Sequence, residues 1–235
     1  MKRVATYVDG LNLYHGVKDM IRHGGLAASR KWLDLDALIH RLSPRDSVTS
    51  IQYFTAHVIG PPSDVFMASR QQAYLRALLT IPHLEIHLGN FLIRKKRMPI
   101  SASLSRLRQR LIRIHGLDLL RHRDGNVTVP VWRMEEKGTD VNLGVRLVAD
   151  AFRNAFDKAM VISNDSDLVG PIRMVTQEVG KELIVVNPRG HRSPAVALRE
   201  AASGVRQLRV AAVVESQLPV VLRDERGEIH KPFGW

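Results

Sequence analysis

The stretch that most constrains this chain is residues 161–171, with the sequence VISNDSDLVGP. It begins within a short apolar run, 159–162, which predicts a buried strand. A polar cluster follows at 163–167, and an apolar pattern with helical spacing resumes at Leu168. Ligands of open parallel α/β sheets bind outside the carboxyl ends of the strands. Two carboxylates at such a junction therefore indicate a chemical site.

The rest of the chain repeats this alternation of strand, turn and helix. Residues 3–8 predict a first strand, Asp9 and Gly10 a tight turn, and Leu11 the start of a helix. Further core strands are predicted at 48–58, 84–92, 159–162 and 182–186, with an extended segment at 127–133. Strands that alternate with helices predict an α/β fold with a doubly wound, mostly parallel sheet.

Composition narrows the classes of function. The chain has no cysteine, which excludes disulfides and thiolate-bound zinc. Its 35 basic and 23 acidic residues give a net charge of +12. Such an excess favours a polyanionic partner, most often nucleic acid, although a basic soluble enzyme fits as well. No apolar run approaches the roughly 20 residues of a membrane span, and the first residues lack a signal peptide. We therefore expect a cytoplasmic protein with no membrane partner.

Much of the positive charge lies in one segment, about 94–126. Its stretch 94–125 holds ten basic and two acidic residues, which is eight of the twelve excess charges. Four apolar residues at 104, 107, 111 and 114 fall on one face of a helix. The segment predicts a basic helical insertion that contacts phosphates, with a solvated helix or a membrane-surface helix as alternatives. The basic candidates for phosphate contact are Arg94, Lys95, Lys96, Arg97, Arg106, Arg110 and Arg113.

Carboxylates recur where the predicted strands end. Asp9 ends the first strand, Asp165 and Asp167 follow the fourth, and Asp140 begins the helix that leads into the fourth. If the first and fourth strands are neighbours, Asp9 and Asp165 converge. Several carboxylates at one edge repel each other, and a divalent cation such as Mg²⁺ or Mn²⁺ relieves that repulsion. The alternative is that each aspartate only forms a turn or begins a helix.

Three motifs in order resemble a known family. They are YVDGLNLY at 7–14, EKGTDV at 136–141 and SNDSDL at 163–168. Together they resemble the NYN domain family, the LabA-like branch of the PIN-like nuclease superfamily, over residues 3 to about 202. The resemblance implies a sheet of strand order 3-2-1-4-5 and metal-dependent endoribonuclease chemistry. We expect a domain at 1–210 and a C-terminal tail at 211–235.

The resemblance also implies roles for individual residues. The expected metal ligands and catalytic residues are Asp9, Asp140, Asp165 and Asp167. Asn12 would orient a ligand or a phosphate, and Ser163 and Asn164 would hold the turn and donate hydrogen bonds. The chain departs from the family near Ser203, where relatives often carry an acidic residue.

Two arginines follow the fifth predicted strand and add to the substrate candidates. Arg189 and Arg192 are placed by the topology at the same sheet edge as the aspartates, where they would neutralise a phosphate. A plain basic loop is the alternative.

The sequence thus predicts an endoribonuclease that uses one or two Mg²⁺ or Mn²⁺ ions. The alternative from another class is a non-catalytic RNA-binding or regulatory module that keeps the PIN-like shell. A small-molecule phosphohydrolase is a further alternative, although the segment at 8–12 lacks the paired aspartates of dehalogenase-like phosphatases. The choice between RNA and DNA, and the presence of a homo-oligomer, stay open.

Overall fold

The structure is a computed structural model, and it describes residues 1–60, 64–99, 120–121, 123, 127–189 and 193–235. Contacts divide the chain into two compact units. The large unit comprises residues 1–90 and 137–235, and the small unit comprises residues 91–136.

Ten strands and seven α-helices are described. The strands are β1 (Arg3–Asp9), β2 (Ser47–Ala56), β3 (Leu84–Pro99), β4 (Leu120–Arg121), β5 (Val127–Lys137), β6 (Lys158–Ile162), β7 (Glu182–Asn187), β8 (Gly204–Gln207), β9 (Val221–Asp224) and β10 (Gly227–His230). The helices are α1 (Gly10–His23), α2 (Leu35–Leu42), α3 (Met67–Leu78), α4 (Thr139–Phe152), α5 (Val169–Arg173), α6 (Val196–Ala201) and α7 (Val210–Glu215). Short 3₁₀ turns occur at Ala28–Lys31 and Ser166–Leu168. None of these helices is long and apolar enough to cross a membrane.

The large unit contains a sheet of six strands. Their order is β3-β2-β1-β6-β7-β8, and every neighbouring pair is parallel. The predicted mostly parallel α/β class is therefore confirmed. The sequence did not predict β8, which adds a short strand beyond β7.

The central strand β1 is buried on both faces. Val4 and Val8 point into the core formed with α1, α2 and α3, whereas Ala5 and Tyr7 point into the core formed with α4, α5 and α6. This alternation follows from the two-residue period of a strand. Helices on both faces explain why the strands appear in the sequence as almost continuous apolar runs.

A buried hydrogen bond fixes α4 to β1. The Tyr7 hydroxyl donates to Asp150 Oδ2 over 2.9 Å, and Arg146 Nε donates to the same oxygen over 2.8 Å. Burial, followed by the charge of Asp150, raises the pKa of Tyr7, so its hydroxyl stays protonated and keeps donating. The helix that carries Asp140 is thereby tied to the strand that carries Asp9.

The small unit contains an antiparallel ribbon. Strand β4 pairs with β5 over two residue pairs, and β5 lies next to β3. The basic segment begins in the last part of β3, where Arg97 Nε donates to Thr128 Oγ1 over 3.3 Å. Pro130 lies beyond the two residue pairs of β4 with β5, in keeping with its lack of an N–H donor. The helix predicted around 104–114 lies outside the described residues.

Residues 211–235, expected to form a tail, are part of the large unit. Strands β9 and β10 form an antiparallel hairpin. Trp235 is 7% exposed, with its ring centroid 5.1 Å from that of Tyr74 and 6.3 Å from that of Trp32. The indole N–H of Trp32 donates to the Pro219 carbonyl over 2.8 Å.

Replacing Tyr7 by Phe tests the bond between β1 and α4. The substitution keeps the ring but leaves Asp150 without one donor, so we expect a loss of about 1–3 kcal/mol in the free energy of unfolding, measured in urea. Tyr14→Phe is the matched control, because the Tyr14 hydroxyl makes no hydrogen bond within the described residues. Equal stability of the two variants would contradict a structural role for the Tyr7 hydroxyl.

Candidate active site

The pairing of β1 with β6 brings the first and third sequence motifs, at 7–14 and 163–168, together. Val8 pairs with Ile162, so Asp9 and Ser163 follow side by side at the carboxyl ends of their strands. The Ser163 hydroxyl donates to Asp9 Oδ2 over 2.8 Å and accepts from the backbone N–H of Asp165 over 3.1 Å. Ser163 is only 1% exposed, and its hydroxyl thus links Asp9 to the turn that carries Asp165.

Two of the aspartates also cap helical turns. Asp9 Oδ1 accepts from the N–H of Asn12 over 2.9 Å and caps α1. Asp165 Oδ1 accepts from the N–H of Asp167 over 3.0 Å and caps the 3₁₀ turn. Both aspartates therefore have the structural role of the alternative prediction. Capping uses only part of each carboxylate, because an ionised carboxylate offers about four lone-pair sites.

Asp140 lies in the first turn of α4, beside other carboxylates. The helix begins at Thr139 and is capped by Gly138 with φ of 88°, a left-handed conformation that favours glycine. Burial, and then the charges of Asp165 and Asp167, raise the pKa of Asp140. A carboxylate at a helix N-terminus is normally stabilised by the helix dipole. Burial and repulsion outweigh that effect here.

Close packing between α4 and α5 holds Asp140 near the turn. A Cβ atom on Gly144 would lie 2.8 Å from Pro171 Cγ. Gly144 is four residues after Asp140, and therefore on the same face of α4. Gly144 was not predicted as a site residue, although a glycine inside a helix, one turn after a candidate ligand, is a signal in the sequence.

Two asparagines join α1 to the loops at this edge. The backbone N–H of Asn164 donates to Asn12 Oδ1 over 3.4 Å, and Asn164 Oδ1 accepts from the N–H of Ala195 over 3.1 Å. The side-chain amide N–H groups of Asn12 have no partner within the described residues, and Asn12 is half-buried. Asn12 therefore offers donors beside the acidic cluster.

Arg189 lies on the loop after β7, at the same edge. Its guanidinium is 3.2 Å from Asp19 Oδ2 of α1, and its backbone N–H donates to Asn187 Oδ1. The ion pair uses part of the guanidinium and leaves other N–H donors.

The other basic candidates are distributed differently. Arg94, Lys95 and Lys96 are exposed in the small unit, and Arg97 is half-buried there. The remaining four lie outside the described residues: Arg106, Arg110, Arg113 and Arg192.

Ser203, where the chain departs from the family pattern, lies away from the aspartates. Its hydroxyl accepts from the backbone N–H of Leu183 over 3.0 Å, near the amino end of β7. The substitution therefore affects strand pairing at the opposite edge of the sheet.

The donor set at the carboxyl edge suits a hard divalent cation. Within the described ranges no salt bridge involves Asp140, Asp165 or Asp167, so their negative charge is not balanced by a neighbouring cation. The same ranges contain no group of three or more His, Cys, Asp or Glu side chains that could hold a metal ion by themselves. Mg²⁺ is usually bound through one or two carboxylates together with water and substrate phosphates. All-oxygen donors of this kind fit that mode of binding.

The chain resembles known proteins in both sequence and fold. The model of the NYN domain family matches residues 3–209. The chain is 25% identical over 255 residues to 6-hydroxy-3-succinoylpyridine 3-monooxygenase HspA of Pseudomonas putida (strain DSM 28022 / S16), covering 99% of this chain and 75% of that protein. It also resembles the crystal structure of a protein of unknown function, VPA0982, from Vibrio parahaemolyticus RIMD 2210633. The TM-score is 0.51 at 15% identity, covering 92% of this chain and 96% of that one, and this likeness shows the fold alone.

Asp140→Asn is expected to raise the melting temperature of the metal-free protein near pH 7. The pKa of Asp140 in the folded state lies above its ordinary value of 3.8. Ionisation of Asp140 therefore destabilises the folded state once the pH rises above 3.8. The gain from the substitution should therefore vanish below about pH 3. Calorimetry in the presence of a chelator at both pH values measures it.

Asp19→Asn is the control, because the Asp19 carboxylate pairs with Arg189 and its removal gives no such gain. A lower melting temperature of Asp140→Asn near neutral pH would contradict the repulsion described above.

Proposed function

The chain belongs to the NYN domain family, whose members are generally PIN-like nucleases, and from this premise we propose that it is a metal-dependent endoribonuclease. It hydrolyses RNA phosphodiesters at the carboxyl edge of its parallel sheet. The observation that carries the proposal is the geometry of the carboxyl edge, where the Ser163 hydroxyl links Asp9 to the turn that carries Asp165. Asp140 lies near this turn, and burial, followed by the charges of Asp165 and Asp167, raises its pKa.

Nucleases of this class typically use divalent metals, and the aspartates supply the donors. Mg²⁺ or Mn²⁺ would be held by Asp140 and Asp165, supported by Asp9 and Asp167, and when bound would acidify a water and stabilise charge on the phosphate. Asp165 keeps an oxygen that accepts no hydrogen bond within the described residues. Asp9 is 5% exposed and holds Ser163 in place, so it fixes the geometry of the turn as well as adding negative charge.

Neighbouring groups of the chain bind and orient the phosphodiester. The amide N–H groups of Asn12 are directed to no other described residue and would donate to a phosphate oxygen. Arg189 would add a positive charge from the loop after β7. The net charge of +12 attracts a polyanion over a longer range, and this attraction weakens as salt is added. The exposed basic residues of the small unit, Arg94, Lys95 and Lys96, would add to this long-range attraction.

Cleavage of a labelled single-stranded RNA tests the proposal. With Mn²⁺ present we expect cleavage by the wild type and a rate at least about 100-fold lower for Asp165→Asn, equivalent to roughly 2.7 kcal/mol of transition-state stabilisation. Asp36→Asn is the matched control, because the Asp36 carboxylate lies on α2, 2.9 Å from His83 Nε2. The Asp36→Asn variant should cleave RNA at the wild-type rate. A chelator should abolish cleavage by all three proteins.

Three results would overturn the proposal in different ways. Equal rates of RNA cleavage by the wild type and by Asp165→Asn would show that the active site is wrongly assigned. RNA binding without cleavage under any divalent metal would identify a non-catalytic RNA-binding module. Turnover of a phosphomonoester, with no effect on RNA, would identify a small-molecule phosphohydrolase.

A second candidate function rests on the match to HspA, which spans 99% of this chain. That relative is named for the oxygenation of a hydroxylated pyridine, so a small heteroaromatic acid is a candidate substrate for this chain as well. Incubation with 6-hydroxy-3-succinoylpyridine, oxygen and a reductant distinguishes the oxygenase function from the nuclease function. Consumption of the pyridine by a protein that leaves RNA intact would favour the oxygenase.

A further inference from the structure

A cavity of about 560 Å³ lies at the opposite edge of the sheet, where β1, β2, β6 and β7 begin. Because β1 is seven residues long, this amino-edge cavity is about 20 Å from Asp9. Two carboxylates line it, Asp46 and Glu182. Its cationic side chains are Lys2, Arg41, Arg45, Lys158 and Arg206. The cations exceed the carboxylates by three.

Two lysines already balance the two carboxylates. The side chain of Lys158 is 8% exposed, and its ammonium donates to Asp46 Oδ2 over 3.0 Å and to Ser43 Oγ over 3.3 Å. Lys2 forms an ion pair with Glu182. Hydrogen bonds from Ser43 and from Lys158 lower the pKa of Asp46 to about 2, so this carboxylate stays ionised and the pairing persists at neutral pH.

The three arginines carry the excess charge. Arg41 pairs with Glu215 at an exposed position, over 2.7 Å. Arg206 donates one N–H to the Leu42 carbonyl, which leaves its charge and its other donors available. Arg45 is exposed and makes no hydrogen bond or ion pair within the described residues. Two guanidinium groups therefore line a concave site without an ion pair of their own within the described residues.

The shape and the charge of the cavity indicate which kind of ligand would fit it. A guanidinium presents paired N–H donors that match a phosphate group, and a concave site concentrates the potential of its charges. The volume lies in the range of about 300–1,000 Å³ that is usual for small-molecule sites. We propose that the amino-edge cavity binds the terminal phosphate of a small phosphorylated ligand of nucleotide size, through Arg45 and Arg206. This inference does not rest on the proposed nuclease activity.

Calorimetric titration of the full chain with adenosine 5′-monophosphate tests the proposal, with adenosine as the unphosphorylated comparison. We expect the nucleotide to bind and the nucleoside not to bind. Arg45→Gln and Arg206→Gln should each weaken binding about tenfold, because each removes a charge-assisted contact. Arg226→Gln removes the same charge from the turn between β9 and β10 and should leave the affinity unchanged. Added salt should weaken binding to the wild type.

Four results decide the matter. Equal binding by Arg45→Gln, Arg206→Gln and Arg226→Gln would overturn the proposal, as would the absence of binding to both the nucleotide and inorganic pyrophosphate. Binding that requires Mg²⁺ and is lost in Asp165→Asn would place the phosphate at the other edge and would also overturn the proposal. Competition by a 5′-phosphorylated RNA, and not by its unphosphorylated form, would support the site and assign the phosphate to an RNA end. Because binding is measured without RNA cleavage, failure here leaves the nuclease proposal intact.

Discussion

The parallel pairing of β1 with β6 is the constraint on which the candidate site depends. Its register sets Val8 opposite Ile162, so that Asp9 and Ser163 end their strands together. The Ser163 hydroxyl then fixes both Asp9 and the turn that carries Asp165. A shift of the register by one residue would turn every side chain of a strand to the other face of the sheet and separate these groups.

The two edges of the sheet have opposite electrostatic character. At the carboxyl edge, Asp140, Asp165 and Asp167 form no salt bridge within the described ranges. At the amino edge, Lys158 and Lys2 pair with Asp46 and Glu182, and Arg45 and Arg206 form no ion pair in the part of the chain that the structure describes. At the carboxyl edge, burial and the neighbouring charges raise the pKa of Asp140. A cation at the carboxyl edge and a phosphate at the amino edge would match the two charges.

The sequence predicts what depends on local pattern and misses what depends on distant contacts. The alternation of apolar runs with turns predicts the parallel α/β fold, and the three motifs identify the NYN family, which the family match confirms. The capping role of Gly138 was missed because a left-handed φ depends on the chain around it. Gly144 and the amino-edge cavity were missed because their partners, such as Pro171 and Lys158, are far away in the sequence. The roles of the aspartates as ligands stay a prediction.

A cation at the carboxyl edge is tested most directly by anomalous diffraction from crystals grown with Mn²⁺. We expect a peak about 2.1 Å from carboxylate oxygens of Asp140 and Asp165, and its loss in crystals of Asp140→Asn. Manganese bound elsewhere with none at this edge, or a peak that persists in Asp140→Asn, would contradict the assigned metal centre.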